Sequence, residues 1–154
     1  MSFLRVFSTG NGGIMQSAQP GDTIGGGNVT IISANSAQTI AASSLTGQVI
    51  LRQANASAYN DTTDTAVNIM QALYGNTSAQ PKVGESFICD YSNQGTATIT
   101  IVGGTGVTVS GNNTVVAGAM RRLLFTCTAS GTMTFTATTG LYTNVGATFN
   151  CIVL

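Results

Sequence analysis

The chain has 154 residues, 43% of them hydrophobic and only 6% charged, with five basic side chains against five acidic ones and no histidine. That length suits one domain with a real core, and so even a charge balance offers no electrostatic footprint for nucleic acid. An ordinary soluble domain carries roughly 25% charged residues. Here Ser, Thr, Asn, Gln and Gly stand in their place, which leaves little electrostatic protection against self-association.

Residues 1–28 are rich in turn formers: Gly10–Gly13 spells GNGG, Gly25–Gly27 spells GGG, and Pro20-Gly21 lies between them. We read an extended N-terminal arm, ordered against a neighbour, with Phe3, Leu4, Val6 and Phe7 as apolar anchors. The glycine clusters lack the G-x-x-x-x-G-K-[ST] spacing that cradles phosphate. The first residues carry Arg5 but no continuous apolar stretch, so a signal peptide is not expected. No apolar run approaches the ~18 residues that cross a membrane. Synthesis and assembly in a host cytoplasm is the simplest expectation.

Residues 29–154 read as a single β-domain. VTIIS at 29–33 and QVILR at 48–52 have the β-branched content of strands, with a further short strand at Thr39-Ile40. One helix is expected near 62–74, where Ala66, Ile69, Met70 and Leu73 share a helical face. Asp61, Thr62 and Thr63 offer N-cap oxygens, Asp64 lies near the positive dipole end, and Gly75 suits the left-handed terminus. From Gly84 onward strand follows strand, near 85–91, 96–102, 106–109, 113–117, 119–128, 131–138 and 146–153. The short gaps between them imply hairpins and antiparallel pairing. The fold class expected is therefore mainly β: an antiparallel β-sandwich, jelly-roll-like, with one short helix and an N-terminal arm.

Cys89, Cys127 and Cys151 each follow a Phe by two positions, so each shares a strand face with Phe87, Phe125 or Phe149. They read as buried thiols behaving as small hydrophobes; a disulfide between two of them would leave one over. Without His or a CxxC pair no metal site is expected, and no cofactor motif occurs. The carboxylates Asp22, Asp61, Asp64, Glu85 and Asp90 have no spacing that demands an acid/base pair or a calcium loop. No G-x-S-x-G elbow appears, so catalysis is not expected. Arg121 and Arg122 stand inside an apolar run, AMRRLLFTC, and point to opposite faces of a strand. Either a buried stem with a paired head or pairing across a subunit interface would account for them.

DTTDTAVNIMQAL at 61–73 and GESFICDYSNQGTATITIVGGTGVTVSGNNTVVAGAMRRLLFTCT at 84–128 resemble repeated elements of virion structural proteins. Such elements occur in capsid decoration or cement proteins and in fibre or spike parts of tailed phages and large DNA viruses. The resemblance implies a small β-sandwich, often trimeric, that attaches to a larger lattice. It carries no catalytic motif.

The expected function is thus that of a non-enzymatic virion component. Its partners would be copies of itself, with a trimer favoured, and a major capsid or other virion protein. Neither nucleic acid nor membrane is expected as a partner. Phe3, Arg5, Phe7, Arg121 and Arg122 are the candidate subunit-interface residues. A carbohydrate- or cell-surface-binding module of a viral fibre is the alternative, weakened by the absence of Trp and by four Tyr far apart in sequence. A secreted self-assembling surface protein ranks third.

Overall fold

The computed structural model describes residues 29–47, 49–75 and 82–154, and the backbone alone of 6–9 and 13–16. The protein is mainly β, with mixed sheets and two helices among the described residues. At the N-terminus β1 (Val6–Thr9) and β2 (Gly13–Gln16) pair antiparallel as a separate two-stranded sheet.

The chain then winds through three coils, each placing one strand in a large sheet and the next in a smaller one. The first coil is β3 (Val29–Ile32) and β4 (Thr39–Ile40), and the second is β5 (Val49–Arg52) and β6 (Tyr59–Thr63). The third is β7 (Ser86–Asn93) and β8 (Ile99–Val102). Helix α1 (Ala42–Leu45) links the first two coils and α2 (Ala66–Tyr74) the second and third. β3, β5 and β7 run parallel, as do β4, β6 and β8.

The remaining strands complete the two sheets. β9 (Val107–Gly111), β11 (Met120–Ala129) and β14 (Thr148–Val153) join the large one, in the order β3-β5-β7-β11-β14-β9. β10 (Thr114–Val115) pairs with β8 at the edge of the small one. A hairpin of β12 (Thr132–Thr136) and β13 (Leu141–Val145) forms a sheet of its own.

All-antiparallel pairing is therefore corrected: five strand pairs are parallel. The reason is length. Residues 33–48 and 53–85 are long enough to cross over and return to the same end of the sheet, which parallel pairing requires. A second correction concerns the helix start. Residues 59–63 continue a strand along β8, so Asp61, Thr62 and Thr63 do not cap α2. Thr65 does, accepting from Asn68 N at 3.2 Å. The single expected helix is joined by α1, one turn of Ala-Ser-Ser-Leu. Gly75 ends α2 at φ +63°.

The three coils are cross-linked from within. Arg52, fully buried, donates from its two terminal nitrogens to the carbonyls of Ala34 and Ser36 in the first coil. Its Nε lies 3.1 Å from Oδ2 of buried Asp61, not aligned as a hydrogen bond. Tyr91 OH donates to the same Oδ2 at 2.5 Å, and the backbone N–H of Gln38 donates to Oδ1 at 3.1 Å. Burial, reinforced by Asp61, pushes the Tyr91 hydroxyl pKa well above its ordinary value. In the third coil Asn93 takes the register position of Arg52 and donates to the carbonyls of Ala97 and Val115.

The corner between sheets is an asparagine ladder. Ala56 N donates to Asn35 Oδ1 at 2.8 Å, and Asn55 Nδ2 donates to Ala97 O one coil further on. Gly95 packs so closely there that a Cβ would fall 1.5 Å from Asn55 Oδ1.

The core draws on both sheets: Ile40, Ile99, Ile101 and Val115 from the small one, Ile50, Leu123, Phe125 and Val153 from the large. Phe87, Phe125 and Phe149 meet across adjacent strands, the first two stacked at 4.8 Å. The three cysteines share their face as free, buried thiols. Burial pushes Cys89 and Cys151 up to about 12.

Substituting Asp61→Ala leaves the Arg52 guanidinium buried without a counter-charge, and breaking such a pair costs about 3–5 kcal/mol. The double replacement Arg52→Met with Asp61→Leu should cost less than Asp61→Ala alone. Urea unfolding of the variants measures both; an Asp61→Ala protein as stable as wild type would remove the pair from this account.

Candidate functional site

The large sheet is apolar on both faces. Its inner face fills the core. Its outer face alternates with it along each strand, as β-geometry demands. On β7 the outward residues are Ser86, Ile88, Asp90 and Ser92; on β11 they are Met120, Arg122, Leu124, Thr126 and Thr128. The strand register stacks them into rows. Ile88, Leu124 and Ile152 form one row across β7, β11 and β14. Val29, Val49, Asp90 and Arg122 form the next across β3, β5, β7 and β11. Ile31, Leu51, Ser92 and Met120 complete the apolar half. Met120 is 61% exposed and Ile88 48%; Val29, Ile31 and Leu154 are also exposed.

Toward the other end of the strands the face turns polar but stays uncharged. Ser86 and Thr126 share a hydrogen bond at 2.9 Å, Thr128 and Thr148 one at 2.8 Å, and Ser110 donates to Asn150 at 3.3 Å. Hydroxyls satisfied by one another carry strand propensity without charge.

One ion pair crosses the apolar half. Arg122 donates from Nε to Asp90 Oδ1 at 2.9 Å and from Nη2 to Oδ2 at 3.2 Å. This fork-on-fork geometry is the strong form of the contact. The hydrogen bond from Arg122 holds the Asp90 carboxyl below the usual carboxylate range, and Asp90 in turn raises the Arg122 pKa. Both charges of the face are thus satisfied within the chain.

The candidate interface residues fare differently. Arg122 is on the outer face, its head paired to Asp90. Arg121 stands opposite Tyr91 on the inner side, half-buried, its Nε shielded and without a hydrogen bond. Phe7 falls in β1, where the backbone alone is described, and Phe3 and Arg5 lie outside the described residues. Of the five, Arg121 and Arg122 are the two whose side chains are described, and they stand on opposite faces of β11. The apolar rows around Arg122 are what sequence reading missed. Their signal was present: Ile88, Leu124 and Ile152 each sit beside a core residue in a strand apolar on both faces, the mark of a sheet covered on two sides.

The other candidate surface is the β12–β13 hairpin. Its base is held by Asn144, which donates to Ser130 O at 2.8 Å and accepts from Ala147 N at 3.1 Å. Further out, Phe135 and Tyr142 pair with ring centroids 5.0 Å apart, and Phe135 is 52% exposed. The hairpin's threonine-bearing strand is thus not a core strand.

Among the described residues no group of three metal-ligating side chains occurs, and no helix is long and apolar enough to cross a membrane. Set against known proteins, the chain matches no family model, no curated protein and no solved structure.

The Asp90 pKa is lower folded than unfolded, so the stability it contributes is fully present above about pH 4 and is lost as pH falls through the folded pKa. Arg122→Ala should lower the urea midpoint slightly and by a constant amount from pH 5 to 8. That difference should shrink on acidification below about pH 4. Paired denaturation curves across this range check it; a difference that grew toward low pH would mean Asp90 gains nothing from Arg122.

Proposed function

We propose that this chain is a non-enzymatic virion structural protein, of the capsid decoration or cement kind or a minor structural component. It acts by self-association, as a trimer, and by attachment to a larger viral lattice, in the virion after assembly in a host cytoplasm. On this reading the two main sheets form a β-sandwich, and the N-terminal segment, which carries the β1–β2 hairpin, serves as an arm.

One observation carries the proposal. The outer face of the six-stranded sheet leaves Val29, Ile31, Ile88 and Met120 uncovered in the single chain. Contiguous exposed apolar surface of this kind marks an interaction site. The only charges on that face, Arg122 and Asp90, already satisfy each other, so covering them strands neither. A chain of net charge zero offers a second copy no long-range repulsion.

Ile88→Glu puts a charge in the middle of this surface at a site too exposed to matter for the core. Light scattering on a size-exclusion column should show a closed oligomer for the wild type and a smaller species for the variant, whose circular dichroism spectrum should match the wild type's. A wild type that stays monomeric at high concentration would end the self-association reading.

A carbohydrate- or cell-surface-binding module is the second reading, and the Phe135–Tyr142 pair favours it. Phe135 and Tyr142 meet on a hairpin, where ring faces can stack on sugar rings. On this reading glycan-array binding is seen with wild type and lost with Phe135→Ala; no binding by either protein dismisses it.

A further inference from the structure

We propose that the β1–β2 hairpin of one copy docks on the apolar outer face of the six-stranded sheet of a second copy. This rests on the self-association reading and specifies its contact.

A lone two-stranded hairpin is marginal in water and needs a surface to pack on. Among the described residues the β1–β2 pair forms a sheet by itself and joins no other. It is built from VFST and GIMQ, with Phe7 opposite Met15 and Ile14 opposite Ser8 in the register. Its eight residues include four large apolar ones and no charge. The outer face is its complement: apolar rows, a polar uncharged margin, and one ion pair closed on itself. Neither surface would bury an unpaired charge on meeting the other.

The connection allows it. Residues 17–28 join β2 to β3, a length that reaches at most about 40 Å. Val29, where they arrive, is itself an exposed member of the face, on the edge strand β3. The hairpin is therefore tethered at the rim of the surface it fits. Val29, Ile31, Ile88 and Met120 stay exposed in the single chain, so the seat proposed for the hairpin is the same face of a second copy. Reciprocal or cyclic exchange would then cover every copy's face once, closing the assembly.

The test uses the full chain carrying a photoreactive phenylalanine analogue at position 7, which keeps the bulk of Phe7. Unlabelled and 15N-labelled chains are unfolded together, refolded, irradiated and digested, and solution mass is measured beside them. The expected result is a link from position 7 to the peptides holding Ile88, Leu124 or Ile152. Light and heavy chains should be joined in the proportion set by random mixing, and the links should be lost when the recipient carries Ile88→Glu. Links confined within one chain, links to other surfaces, or no links from an oligomer would each overturn the docking while leaving self-association in place. A monomer would overturn both.

Discussion

Arg52 holds the fold's geometry. Its guanidinium reaches the carbonyls of Ala34 and Ser36 in the first coil, and its charge is met by Asp61, which also accepts from Tyr91 in the third. One buried cation thus fixes the relative position of three successive coils and of the two sheets that they supply. A buried ion pair is seldom a net gain over packed hydrocarbon, because desolvation offsets much of the attraction. What it adds here is direction: the three acceptors and the phenol fit only one stacking of the coils. The asparagines at the corner and the missing side chain at Gly95 agree with that same stacking.

Once the coils are stacked, the large sheet has a defined inner and outer side. Phe87, Phe125 and Phe149 close the inside. The outside then carries Ile88, Leu124 and Ile152 because each is the neighbour of a core residue along its strand. The sparse charge of the chain is spent on internal jobs. Asp64 accepts from Thr65, Asn68 and Ala42, so that although burial raises its pKa these bonds outweigh it and hold the carboxyl below its ordinary value. Glu85 accepts from Tyr74 and from the Lys82 amide. With Arg52, Asp61, Arg122 and Asp90 also committed, little charge remains to keep copies apart. From Leu123 to the C-terminus the chain has none at all. A bare apolar face on so neutral a molecule is the physical basis for reading it as an assembly component.

Much of the local structure was legible in advance. The F-x-C triplets marked the inner face of three strands, since period-two alternation needs no tertiary information. The Ile99/Ile101 face was legible in the same way, and Gly75 marked the end of α2. Ala-Asn recurs at 34–35 and 54–55, and both pairs fall at the corner where the chain passes between sheets. The helix start was misplaced because Asp61 and Thr63 have good capping chemistry. Nothing local says that the one neutralises an arginine and the other accepts from the backbone N–H of distant Gly104.

By itself, then, the sequence determined a charge-poor, strand-rich chain, the inward residues of its C-terminal strands, and the absence of His and of paired acid/base spacing. Those follow from composition and from the repeat of the extended backbone, which are properties of neighbours along the chain. Strand direction, the Arg52–Asp61–Tyr91 cross-link, the Phe135–Tyr142 pair and the continuity of the outer apolar rows were decided only by the tertiary structure. Each joins residues separated by 7 to 64 positions — Phe135 to Tyr142, Ile88 to Ile152 — and such pairings depend on how crossovers return the chain, which no local pattern encodes.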